Sequence, residues 1–279
     1  MSFLVLLLVL WVEKFSALRQ RLQRDGFFRA ELARLERSGK SHPWWLLLIL
    51  VLLPVPVLLV ALLVHVLEPV AYGLLALPVH LLVLIYSLGR GDVKASLGPF
   101  RDAWRRGDEQ AAVHVAERDL NVTGDDASSL LERVQGHLLW QAYQSFFAVI
   151  FWYALLGPAA ALAYRLLALT AEHANAAALR ERAQQLRHAF DWAPVRVLGV
   201  SFALVGNFVA VSRVMLHELL NWHISAAKLI ASVGKVAGDM PADVPAGPAG
   251  LVGLDSLWEL LLRSAVLWYA CFALWTVLG

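Results

Sequence analysis

Three stretches of this chain, Trp44–Leu67, Pro69–Leu88 and Phe146–Tyr164, are each 19 residues or longer and contain no Asp, Glu, Lys or Arg. A helix rises about 1.5 Å per residue, so about 20 apolar residues cover the ~30 Å hydrocarbon layer of a bilayer. A water-soluble fold has little use for helices with no polar face. A fourth stretch, Leu260–Leu278, carries one charge near its start, Arg263, whose aliphatic stem lets the guanidinium reach the headgroups. The fifth, Val197–Ser212, is shorter and bounded by Arg196 and Arg213. Its Gly199, Ser201, Gly206 and Asn207 suit close helix packing, so a span facing the bundle is expected there. Composition agrees: 59% of residues are hydrophobic, 16% are charged, and mean hydropathy is +0.61. The 11 Trp and 6 Tyr are the side chains that settle where lipid meets water. The expected fold class is all-α: a polytopic α-helical membrane protein with four to five transmembrane helices and an N-terminal, partly inserted helix.

That first helix contains the ten-residue apolar run Phe3–Val12, too short to cross by itself. No basic residue precedes it and no small-x-small site follows, so it reads as retained sequence rather than a leader. The lipid bilayer is the first partner expected. Eight Lys and Arg lie between Glu13 and Pro43 and seven between Gly89 and Trp140, whereas His65–Tyr72 has none. The positive-inside rule then puts 13–43 and 89–140 in the cytoplasm. Arg180, Arg182 and Arg187 then fall on the outer side and weaken the rule, but a span at Val197–Ser212 returns Lys228 and Lys235 to the cytoplasm, so the count favours five spans. One integral membrane domain over 1–279 is expected, organised as 1–43, a hairpin at 44–88, a polar loop at 89–140 and C-terminal spans in 141–279. In the loop, amphipathic helices broken near Gly107 and at Asn121–Asp126 are expected. Gly234–Gly253, with Pro241, Pro245 and Pro248, reads as a connector.

Several functions are disfavoured. A net charge of +2 over mixed-sign loops offers no basic face for nucleic acid. The single cysteine, Cys271, permits neither an intrachain disulfide nor a cysteine metal cage. His217-Glu218 starts like a zinc-protease helix, but the second ligand position is Asn221, and His223 points elsewhere. Gly234-Lys235 lacks the rest of a phosphate loop. No metal site and no cofactor are expected. His65, Glu68 and His80 lie in one hairpin, where a proton relay competes with plain interfacial hydration.

The informative groups are charges abutting apolar runs: Glu13, Arg90, Asp92, Arg165, Asp191 and Arg196. Gly89 and Gly91 around Arg90 suit a helix end that lets an anion or partner approach. Asp191, shortly before Pro194, reads either as a helix cap or as half of an Asp191/Arg196 pair facing a polar ligand.

At these residues the chain resembles the AmpE family of inner-membrane proteins. The resemblance runs from Glu13 through Leu88–Asp92, Phe151–Pro158, Ala163–Arg165 and Asp191–Arg196, and so covers most of the chain. It implies a role beside an anhydromuropeptide amidase in the cell-wall-recycling signal that controls β-lactamase induction. The implied partners are a muropeptide or other polar ligand and the cytoplasmic amidase, with Glu13, Arg90, Asp92, Tyr164, Arg165, Asp191 and Arg196 at the ligand. AmpE is in turn similar to the CobD/CbiB membrane enzymes of cobalamin assembly, through the Phe-Trp-rich span, the Tyr-Arg end and the Pro-x-Arg helix start. Those enzymes follow Tyr-Arg with an Asn-Thr-x-Asp-Ser-type string, and Leu166–Glu172 here lacks its Asn and Asp. An ATP-dependent ligase or transferase, or a transporter of a cell-wall fragment, are the alternatives.

Overall fold

A computed structural model of the chain describes residues 5, 25–38, 53–69, 74–88, 93–239 and 248–278. Glu13, Arg90, Asp92 and the first part of the Trp44–Leu67 stretch lie outside the described residues. Among those described, every regular element is helical. In chain order these are α1 (Gly26–Ser38), α2 (Pro54–Leu67), α3 (Leu77–Ser87), α4 (Val93–Ser96), α5 (Gly98–Arg105), α6 (Glu109–Val115), α7 (Ala127–Ala142), α8 (Ala148–Leu156), α9 (Pro158–His173), α10 (Ala177–Val205), α11 (Phe208–Glu218), α12 (Ala226–Ala237) and α13 (Pro248–Leu278). Two π-helical turns, Ala116–Leu120 and Tyr143–Phe147, complete the set. Among the described residues, two runs are long and apolar enough to cross a membrane, Ala127–Leu156 and Gly250–Thr276. The apolar helices α2 and α3 are shorter.

Contacts divide the chain into two units. The first comprises residues 1–90, 148–191 and 272–279, the second 91–147 and 192–271. In the first, α9 is the hub against which α8, α2, α3 and α1 pack. Phe28 and Leu32 of α1 join Leu162, Leu166, Leu169 and Leu179 in its core. No residue of α2 is buried, and Leu58, Leu59, Leu62, Leu63 and Val66 are exposed. Such a surface in water forgoes about 25 cal/mol per Å² of apolar area, so α2 suits an apolar surrounding.

Phe146–Tyr164 does not form one span. The chain breaks at Gly157, whose φ of +82° is open to glycine and strained for other residues, and α9 restarts with Pro158 in its first turn. α8 and α9 then pack on each other, and the helical run containing α8 starts as far back as Ala127. Hydropathy hid the turn, because a single Gly-Pro step carries no charge and barely lowers the average over the apolar run. Gly157→Ala is expected to destabilise the protein by about 1–3 kcal/mol through backbone strain alone, since nothing lies within 4 Å of the added Cβ. Thermal unfolding in detergent measures this, and an unchanged midpoint would contradict it.

In the second unit, α5 packs with α6, and α12 packs with both α7 and α11. The predicted breaks in the polar loop are present: Gly107 has φ +73°, and the segment before α7 starts with Asn121 at φ +55°. The Val197–Ser212 span is corrected. α10 ends at Val205, and Asn207 caps α11 by accepting from the Ala210 N–H at 3.1 Å. The chain then doubles back, so Gly199 faces Met215. Neither half of that hairpin is the expected span. The connector is also shorter than expected, because α12 extends to Ala237 and α13 begins at Pro248.

α7 opens with a capping box. The Ser129 N–H donates to the Asp126 carboxylate at 2.7 Å, and the Asp126 N–H donates to Ser129 Oγ at 3.1 Å. Hydrogen bonds from Ser129 and from the Ser128 hydroxyl hold the Asp126 carboxyl below its ordinary range. A folded-state value depressed in this way stabilises above the unfolded carboxylate range and is lost as pH falls through the depressed value. Protection of the first-turn amides of α7, taken as exchange relative to the intrinsic rate at each pH, should therefore fall as pH drops through that depressed value. Asp126→Asn should flatten this protection profile; identical profiles for the two proteins would refute it.

Candidate functional site

Polar side chains meet inside the first unit where α9 and α10 run side by side. Tyr164 is 1% exposed, and its O–H donates to Asp191 Oδ1 at 2.8 Å. Arg187 stands one turn before Asp191 on α10, with Nε 3.6 Å from Asp191 Oδ2. Its Nη1 donates to Glu172 Oε1 near the end of α9 at 3.2 Å. Trp152 of α8 packs on Phe190 with ring centroids 5.0 Å apart. A Tyr-Asp-Arg-Glu chain therefore runs beside an α9 whose other buried residues are leucines and alanines, Pro158, and Thr170, whose hydroxyl donates to the Leu166 carbonyl.

Arg165 follows Tyr164 and, at 100° per residue, points to another face of α9. Its Nη2 donates to Asp25 Oδ2 at 3.2 Å, just before α1, where Asp25 is 1% exposed. Arg165 Nε is buried and has no hydrogen-bond acceptor among the described residues. Elsewhere in this unit, His80 Nδ1 lies 2.9 Å from the Tyr153 hydroxyl.

Asp191 and Arg196 do not act as a pair. Asp191 is no helix cap either, because α10 runs from Ala177 to Val205 with Pro194 in its interior. In the second unit, Arg196 spends four of its five N–H groups on backbone carbonyls. Nε donates to Leu219, Nη1 to Trp192 at 2.8 Å, and Nη2 to Glu218 at 3.3 Å and Asn221 at 2.8 Å. The guanidinium also lies 4.3 Å from the centroid of the Trp192 ring. It closes the C-terminal end of α11, where carbonyls lack intrahelical partners.

The structure thus brings Tyr164 and Asp191 together, sends Arg165 to Asp25, and takes Arg196 away as a cap. It adds three residues that the reading of the sequence passed over: Asp25, Glu172 and Arg187. Arg187, one of the three arginines that weaken the positive-inside pattern, has a side chain 11% exposed and paired on both sides. Its i, i+4 spacing from Asp191 was the available signal.

The family model described as "Regulatory signalling modulator protein AmpE" matches residues 1–237, which include every residue of this cluster. Among curated proteins, Protein AmpE of Shigella flexneri is 27% identical over 139 residues, covering 46% of this chain and 49% of that relative. The chain thus matches about half the length of that relative. No solved structure matches significantly. These matches carry the AmpE resemblance and not the one to the CobD/CbiB enzymes.

Proposed function

We propose that this chain, which belongs to the AmpE family, is a multi-pass protein of the bacterial inner membrane that modulates the cell-wall-recycling signal controlling β-lactamase induction. It does so by binding a polar ligand at the α9–α10 charge network. The observation that carries this reading is the buried Tyr164–Asp191–Arg187–Glu172 chain. Desolvating each ion costs several kcal/mol, and well-packed apolar residues often serve stability as well or better. A network of this kind at membrane depth is accounted for by a task, such as two arrangements that a ligand biases. Arg165 adds a buried N–H donor suited to an anionic oxygen. A muropeptide, with its carboxylates and amides, has the matching chemistry. The polar helices α4 to α6 are the surface offered to a cytoplasmic amidase.

Glu172 is the edge of the network, with its side chain 37% exposed, so Glu172→Gln perturbs the chemistry with little cost to the fold. Glu172→Gln should accumulate in the inner membrane at wild-type levels and Tyr164→Phe at lower ones, while each changes the induction ratio of β-lactamase severalfold at matched protein level. Wild-type induction from both variants would refute the ligand site. Recovery of the protein in a soluble fraction would refute the membrane reading.

A further inference from the structure

α1 and the residue before it carry three acids, Asp25, Glu31 and Glu36, and three arginines, Arg29, Arg34 and Arg37. The segment is neutral in sum, but the fold sorts its charges by face. Asp25 is turned inward to Arg165 at 3.2 Å. The Glu36 carboxylate accepts from the backbone N–H groups of Asn175 at 2.8 Å and Ala176 at 3.0 Å, and from the Asn175 side-chain amide at 2.7 Å. It thereby serves the N-terminus of α10. Phe28 and Leu32 fill the core between these two polar anchors. Two of the three acids are thus committed inside the protein.

The opposite face keeps two arginines, since Arg29 pairs with Asp25 at 3.9 Å on the inward side. Arg34 and Arg37 are exposed, with Glu31 3.6 Å from Arg34. Phe27 is 79% exposed and shares a stripe with Ala30, Arg34 and Arg37 at spacings of three, four and three residues. An exposed phenylalanine in line with guanidinium groups is the pattern of a helix lying in a membrane interface.

We propose that the outward face of α1 docks on anionic lipid headgroups, with Phe27 entering the acyl boundary and Arg34 and Arg37 meeting headgroup phosphates. This rests on the membrane reading above and adds to it a lipid-selective contact made by a helix too short to span. Charge complementarity selects the occupant, since guanidinium pairs with phosphate bidentately and a juxtamembrane polybasic face is drawn to an anionic leaflet. Each arginine near such a surface contributes about a fivefold factor in association. Asp25 and Glu36 anchor the helix from behind and leave this face free to engage lipid.

The test uses the full chain in nanodiscs, with Ala30→Cys in a Cys271→Ser background carrying a polarity-sensitive fluorophore. Discs are made of phosphatidylcholine alone, or of equal parts phosphatidylcholine and phosphatidylglycerol. Emission should shift to the blue and become shielded from aqueous iodide in the anionic discs, and high salt should reverse both changes. Adding Arg34→Gln and Arg37→Gln should largely abolish the shift. Their partners, Glu31 and the Ala33 carbonyl, lie on α1 itself, so the fold is left intact. Equal emission in the two discs, a shift that survives both Gln substitutions, or the same shift on adding inorganic phosphate to neutral discs would each overturn the inference. An acidic peptide producing the shift in neutral discs would overturn it in favour of a protein partner. Failure of the chain to enter either disc would instead overturn the membrane reading, and this inference with it.

Discussion

Asp191→Ala is expected to cost about 3–5 kcal/mol of stability, the usual penalty for removing one partner of a buried ion pair. The carboxylate is 4% exposed, accepts from Tyr164 at 2.8 Å and faces Arg187 at 3.6 Å. Its loss leaves the Tyr164 hydroxyl without that acceptor and Arg187 with Glu172 as the counter-charge on its other side. Tyr164→Phe removes one hydrogen bond to a charged group and is expected to cost less, about 1.5–3 kcal/mol. Combining Asp191→Leu with Arg187→Met should recover much of the loss, because apolar packing substitutes for an ion pair in stability. Denaturation of the detergent-solubilised variants measures all three. A near-neutral Asp191→Ala would refute the buried network as described. A double variant that is fully stable but uninducible would separate the network's task from its packing.

Arg196→Met is expected to lower stability by about 3 kcal/mol, roughly one or two charge-assisted hydrogen bonds' worth once non-additivity is allowed for. Arg196 is 6% exposed, and its donors reach the carbonyls of Glu218, Leu219 and Asn221, where α11 ends. Lysine supplies one point charge in place of a planar fork, so Arg196→Lys should restore less than half of the loss. Amide exchange should rise in α11 and in the turn before α12, the segment those bonds close. If Arg196→Met instead left unfolding unchanged while abolishing induction, Arg196 would belong at a ligand after all.

Much of the helical content was legible in the sequence. Uninterrupted apolar runs announced helices, and Gly107 and the Asn121–Asp126 stretch marked the breaks in the polar loop through φ > 0 and capping chemistry. The runs alone do not say where a helix reverses. Gly157-Pro158 and Gly206-Asn207 both lie inside stretches that hydropathy reads as continuous, and both turned expected spans into hairpins. Small residues serve a close helix crossing and a chain reversal equally well, so only the partner decides which occurs. At Gly206 that partner is the Ala237 carbonyl, which would lie 2.6 Å from an added Cβ.

The candidate site divides along the same line. Tyr164, Arg165, Asp191 and Arg196 stand out in the sequence because charged and phenolic groups are costly among apolar neighbours, and that cost is a property of each residue alone. Which of them meet depends on helix register and on segments far apart in the chain. Asp25 reaches Arg165 across 140 positions, and Tyr164 reaches Asp191 across 27. By itself, then, the sequence determined an all-helical, lipid-compatible chain with a few polar groups that must find partners. The tertiary structure decided the pairing, because the attraction between two charges depends on their separation and on the water excluded around them. Those two quantities exist once the helices have packed.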